Sequence, residues 1–201
     1  MKLTADIKND EGESLPGAVF LRGASVGMLV LLQPDDVPAG SQEAKYALLT
    51  VQPRVAGGSL QFVELPAGMV DDGTFQGSAA KEIKEELGLD IPEKDLINLT
   101  ELAIPERLSA GKDQGEEVLG QGVYMSVGGC DEYVPLFLYE KRVKRDTLEE
   151  WEGRLTGLRE EGEKITLKLI KAEELWKVGA RDAKALAAWG LWQGLLKEGK
   201  L

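Results

Sequence analysis

The chain has 201 residues, 43% of them apolar and 29% charged, enough for one good-sized core in an ordinary globular protein. Its formal charge of −11, from 35 acids against 24 bases, argues against a nucleic-acid groove but not against a small phosphorylated ligand whose cations reverse the local field. Histidine is absent, which excludes imidazole bases, His-containing triads and His-ligated zinc and makes a carboxylate the first candidate for any general base.

In chain order, residues 3–7 and 18–21 read as short strands joined by the turn-rich Asn9-Asp10-Glu11-Gly12. Residues 1–6 turn acidic at once and show no signal-peptide apolar segment. Residues 26–32 are the first strongly apolar run, a central strand too short for the ~18 apolar residues of a membrane span. A polar loop over 34–42 leads to strands at 46–51 and 60–65, then to a helix holding Glu82, Glu85 and Glu86 that ends at Gly88, a C′ glycine. Residues 96–102 are expected to form a strand, and the polar, Gly-rich 109–122 a mobile surface loop. A further apolar strand covers 134–139 with Pro135 near its start, 148–158 is partly helical, and 165–170 alternates as a strand. An Ala/Leu/Trp helix over 182–196 is capped by Asp182. This order predicts a mixed sheet flanked by helices, with no internal repeat and no clear interdomain linker. The lone cysteine, Cys130, rules out an internal disulfide and suits a reducing compartment.

Helical spacing puts Glu82, Glu85 and Glu86 on one patch while Ile83 and Leu87 turn toward the sheet. Like charges so placed repel, and a cation removes the penalty; carboxylates suit Mg²⁺ or Mn²⁺, which can bridge a diphosphate. In so acidic a chain the plain alternative is a solvated helix face. The preceding Glu64-Leu65-Pro66-Ala67-Gly68 favours the metal: Pro66 restricts the backbone, Gly68 permits a tight turn, and the Ala67 carbonyl adds a hard oxygen.

The run from Gly68 through Lys81-Glu82-Ile83-Lys84-Glu85-Glu86-Leu87-Gly88-Leu89 resembles the Nudix box, Gly-x5-Glu-x7-Arg-Glu-U-x-Glu-Glu-x-Gly-U with U apolar. It departs in three ways. Thr74 stands where the first glutamate falls, the loop before the helix is one residue short, and Lys81 replaces the arginine, keeping charge but losing the planar fork. The stretch Glu64-Leu65-Pro66-Ala67-Gly68 is similar to the turn of the ADP-ribose and ADP-sugar diphosphatases of that family. Val127-Gly128-Gly129-Cys130-Asp131-Glu132, followed by 134–139, and Thr156-Gly157-Leu158-Arg159-Glu160-Glu161-Gly162-Glu163 resemble especially the plant-type ADP-sugar diphosphatases.

The resemblance implies an α+β Nudix fold, a mixed β-sheet sandwiched between helices, with a small N-terminal β extension at 1–22 and the Nudix domain at 23–201. It implies Mg²⁺- or Mn²⁺-dependent hydrolysis of ADP-glucose or ADP-ribose to AMP and a sugar phosphate; the alternatives are UDP-sugars, dinucleoside polyphosphates, or nucleotide-sugar binding without turnover. By the same likeness Ala67, Glu82, Glu85, Glu86 and Glu163 are the metal ligands, and Glu85, Glu161 and Glu163 the catalytic carboxylates. Arg54 is expected on substrate phosphate, with Arg107 and Lys112 weaker candidates. Glu64 either bonds the terminal sugar or orients Arg54. Gly128 and Gly129 allow close backbone approach, while Asp131 or Glu132 is expected to bond sugar hydroxyls. Cys130, Trp176, Trp189 and Trp192 are expected mainly to pack. Relatives imply a homodimer, with 3–22 reaching the partner's site and Ala187, Trp189 or Leu191 helping to bury the contact, and no nucleic-acid or membrane partner. The expected location is cytoplasmic, or a plastid if the chain is a processed form.

Overall fold

The computed structural model describes residues 1–70, 74–104 and 119–201. Four short strands open the chain, β1 (Lys2–Thr4), β2 (Ile7–Lys8), β3 (Ser14–Leu15) and β4 (Ala18–Phe20), paired antiparallel as β1 with β4 and β2 with β3. The strand expected over 3–7 is therefore split into two ladders. Beyond them β5 (Ser25–Pro34) is buried along its whole length, with β6 (Tyr46–Arg54), β7 (Ser59–Glu64) and β8 (Ala67–Met69) following. Then come α1 (Phe75–Glu82), a π-helical segment (Ile83–Leu87), β9 (Ile97–Asn98) and α2 (Leu99–Ala103). The rest is β10 (Val123–Tyr124), β11 (Tyr133–Val134), β12 (Leu136–Val143), β13 (Leu155–Thr156), β14 (Ile165–Lys171), α3 (Leu175–Val178) and α4 (Ala183–Lys197).

The main sheet runs β13-β14-β6-β5-β12-β9, with β5 and β12 parallel and the other neighbours antiparallel. Period-two alternation divides its side chains between two cores. Val26, Met28, Val30 and Leu32 join Leu48, Phe137, Ile83 and Leu87 on the α1 face. Leu29 and Leu31 join Leu49, Leu65, Leu99, Ala185, Ala188 and Trp192 on the α4 face. A mixed sheet between two helical layers is thus what the sequence predicts.

One local feature places the site. β5 and β6 pair only over Val30–Leu32 and Tyr46–Leu48, then part. The gap is filled by β7, which pairs with β6, and β8, which pairs with β5. The crossing from one to the other is made by Glu64-Leu65-Pro66-Ala67, with Pro66 O accepting from Met28 N at 2.9 Å.

Two expectations change. Residues 96–102 are strand only at Ile97–Asn98; Asn98 then caps α2, its side chain accepting from Glu101 N at 3.1 Å, so an Asx cap overrides the apolar strand pattern. Residues 148–158 hold the end of a 3₁₀ stretch (Arg145–Trp151) followed by β13. The loop expected at 109–122 lies mostly outside the described residues.

Candidate active site

The chemistry-bearing residues converge where β5 and β6 separate. A cleft of about 430 Å³ is lined by Arg22, Ser25, Arg54, Glu64, Ala67, Gly68, Met69, Glu82, Glu86, Met125, Glu132, Glu163, Asp182, Ala183 and Lys184. A roomier cleft of about 870 Å³ lies toward the opposite ends of β6 and α4, against Tyr46, Trp189 and Trp192, and contains none of the box glutamates.

Local signals fold the box. Thr74, in the position of the usual first glutamate, is the N-cap of α1, its hydroxyl accepting from Gly77 N at 3.0 Å. Gly88 closes the π segment at φ 69°, a left-handed C-cap as expected. Between these ends Glu82 and Glu86 face the cleft. Gly68 is required for the approach: a Cβ there would fall 1.8 Å from Glu82 Cδ. Glu86 is buried and accepts from Ala67 N at 3.0 Å. Burial, then the charges of Glu82, Glu163 and Glu64, push its carboxyl up to about 8, against the Ala67 N–H, which favours the anion.

Glu163 joins them from the turn before β14, its Oε2 accepting from Leu158 N at 3.0 Å. Glu85 does not line the cleft; it pairs with Lys81, 3.9 Å away. Arg54 Nε donates to Glu64 Oε1 at 2.6 Å, so of the two roles expected for Glu64 the geometry matches the orienting of Arg54. Glu132 lines the cleft, paired with Arg22 at 2.9 Å and accepting from Ser25 Oγ at 2.8 Å. Asp131 accepts from Arg22 N and Gly23 N, and those bonds, the first above all, hold its carboxyl below the usual range. Gly128 and Gly129 sit in a turn outside the cleft lining, where Gly129 O accepts from Phe20 N at 2.7 Å. Arg107, Lys112 and the side chain of Glu161 lie outside the described residues.

Arg22, Ser25, Met125 and Lys184 were not anticipated, and Asp182 only as a helix cap. Asp182 does cap α4, accepting from Lys184 N, but its other oxygen accepts from Leu65 N at 2.7 Å across 117 residues. No periodicity or motif marks such a contact.

The donors fit a hard divalent cation: carboxylates crowded against one another, one of them buried, beside a main-chain turn stripped of side-chain bulk. Among the described residues no group of three or more acidic, histidine or cysteine side chains is drawn tight enough to hold an ion by itself.

A family model described as the NUDIX domain matches residues 22–189. The chain belongs to the Nudix family. An Arabidopsis thaliana protein named Nudix hydrolase 14, chloroplastic, is 40% identical over 202 aligned positions, covering 99% of this chain and 59% of that protein. The chain therefore spans little more than half the length of that relative. A solved structure titled "Crystal structure of ADP compounds hydrolase" has a TM-score of 0.58 at 14% identity and covers 98% of this chain and 86% of its own, a likeness of fold. In Nudix terms the box helix, the Gly68 turn and the late carboxylate Glu163 meet at one cleft despite the missing first glutamate.

Proposed function

We propose that this chain hydrolyses the diphosphate of nucleoside diphosphate sugars, with ADP-ribose and ADP-glucose as substrates, giving AMP and ribose 5-phosphate or glucose 1-phosphate. The observation that carries the reading is the convergence of Glu82, Glu86 and Glu163 on one cleft with Arg54 and the Ala67–Gly68 backbone. The names of the 40%-identical plant Nudix hydrolase and of the ADP compounds hydrolase support it.

Glu82, Glu86 and the Ala67 carbonyl would hold Mg²⁺ or Mn²⁺, with Glu163 as a further oxygen donor; Glu85, outside the cleft lining, would have to leave Lys81 to join them. Such an ion, when bound, neutralises the diphosphate and lowers the pKa of water. Arg54, its Nε fixed on Glu64, offers its remaining N–H groups to phosphate oxygens. Glu163, with Glu161 as its partner, takes the proton of the attacking water. The new P–O bond forms as the bridging P–O bond breaks, leaving one phosphate on each product. Glu132, which lines the cleft where Asp131 does not, faces the sugar; Arg107 is read as a further phosphate contact.

The test is AMP or UMP release from ADP-ribose, ADP-glucose and UDP-glucose with Mg²⁺ or Mn²⁺. We expect metal-dependent AMP release, reduced at least ~100-fold in Glu163→Gln. No release from either ADP compound would overturn the reading, and nucleotide-sugar binding without release would favour a silent binder, the alternative raised by Thr74.

We further read residues 1–22 as a dimerisation element in front of the catalytic domain, since Leu3, Ile7, Leu15 and Phe20 are exposed there. A reducing compartment, the cytoplasm or a plastid like that in the relative's name, suits the single cysteine.

A further inference from the structure

We propose that Asp182 and Lys184, at the start of α4, are positioning residues that keep the Arg54 guanidinium available to the substrate's diphosphate by occupying the second carboxylate oxygen of Glu64, which then holds Arg54 through Nε. The inference rests on the reading of the cleft as a nucleoside diphosphate sugar site and adds to it two residues that no box motif contains.

Glu64 ends β7 with only 4% of its surface exposed, and a carboxylate so buried must have its charge matched. It is matched twice. Oε1 accepts from Arg54 Nε at 2.6 Å, and Oε2 accepts from Lys184 Nζ at 3.3 Å. Lys184 Nζ also donates to Asp182 Oδ1 at 3.0 Å, and the same oxygen accepts from Lys184 N at 3.1 Å. Asp182 Oδ2 accepts from Leu65 N, the residue directly after Glu64. Asp182 thus grips the β7 end twice, through the main chain and through Lys184. All four charged groups line the same cleft, two cations and two anions that balance.

Arginine and a carboxylate prefer a two-pronged pairing that uses both carboxylate oxygens and two guanidinium nitrogens. Here Lys184 occupies the second oxygen, so among the described residues Arg54 is held through Nε alone, and its side chain stays 44% exposed. Without Lys184, Glu64 has a free oxygen on which Arg54 can fork. That fork withdraws a further N–H and turns the guanidinium edge toward Glu64 rather than toward a phosphate. Lysine serves as a single-point charge, whereas the forked donor is Arg54.

The experiment measures ADP-ribose binding by calorimetry in a Glu163→Gln background, alongside steady-state kinetics in the otherwise native protein. Lys184→Met is expected to weaken binding and raise KM about 10-fold, with kcat within about twofold and the metal-concentration dependence unchanged. Lys184→Arg should recover most of the loss, and Asp182→Asn should reproduce it in part. The deciding comparison is a double-mutant cycle: in an Arg54→Ala background, Lys184→Met should add less than about twofold, because Lys184 acts only through Arg54. Equal losses in both backgrounds would mean that Lys184 binds phosphate itself, overturning the relay. Wild-type affinity retained in Lys184→Met sinks the relay alone; a native chain that neither binds nor cleaves ADP-ribose or ADP-glucose sinks the parent reading and the relay with it. A joint fall of kcat, metal affinity and melting temperature in both Lys184→Met and Lys184→Arg would assign the pair a purely structural role, also overturning it.

Discussion

Glu86 is held where a carboxylate is hard to keep ionised. Its folded pKa, pushed up to about 8 by burial and by Glu82, Glu163 and Glu64, stands well above the ordinary value of 4.5. Between those values the folded chain binds a proton that the unfolded chain does not. The stability of the metal-free protein therefore falls as pH rises from about 4.5 to about 8, and levels off above that. A divalent cation takes the proton's place, so its stabilising effect grows over the same window. Metal-free protein should melt at lower temperature at pH 8 than at pH 5.5, added Mg²⁺ or Mn²⁺ should restore the difference, and Glu86→Gln should flatten the slope. Parallel melting curves for Glu86→Gln and the native chain across this range would contradict the assignment. The three helical glutamates were legible from their spacing alone, but not that Glu86 is the buried one while Glu85 turns toward Lys81. Spacing gives relative angles around a helix, and only the sheet beneath it says which angle points inward.

The box helix shows how local chemistry substitutes for a missing motif residue. Thr74 replaces a glutamate yet caps α1, so the shortened loop still enters the helix with one of its first N–H groups satisfied. Thr74→Ala should cost about 1 kcal/mol, seen as a fall of roughly 2–4 °C in melting temperature, with Glu82 and Glu86 left in place and metal-dependent activity largely kept. Unchanged melting would mean that the cap adds nothing to the helix. Caps were the readable part of the elements: Asp182 and Gly88 act as their residue types suggest. The start of α2 carries a signal of the same kind. Asn98 with Glu101 three residues later marks a helix start, and α2 begins there inside what its apolar residues suggested was a strand. The π segment at Ile83–Leu87 had no such signature, since i→i+5 bonding is a response to packing at both ends rather than a residue preference.

Across the whole molecule, the N-terminal ladders leave Leu3, Ile7, Leu15 and Phe20 exposed while Phe20 and Arg22 tie the segment to the Gly129–Asp131 turn beside the cleft. A second copy covering these side chains would sit next to the site. Light scattering should give a dimer mass for the native chain and a monomer for Leu3→Asp combined with Phe20→Asp; a native monomer at micromolar concentration would end that reading. The sequence by itself determined the mixed sheet between helices, the acidic box helix with its closing glycine, and the chemistry of hard oxygens without histidine, because these follow from periodicity, capping and composition over short stretches. The tertiary structure alone decided that β5 and β6 part to admit the Glu64–Ala67 crossing, and that Arg22, Asp182 and Lys184 face it. Lys184 meets Glu64 across 120 residues of chain. Ion pairs of that separation have no period to betray them: they exist only once two cores have fixed the ends of β7 and α4 side by side.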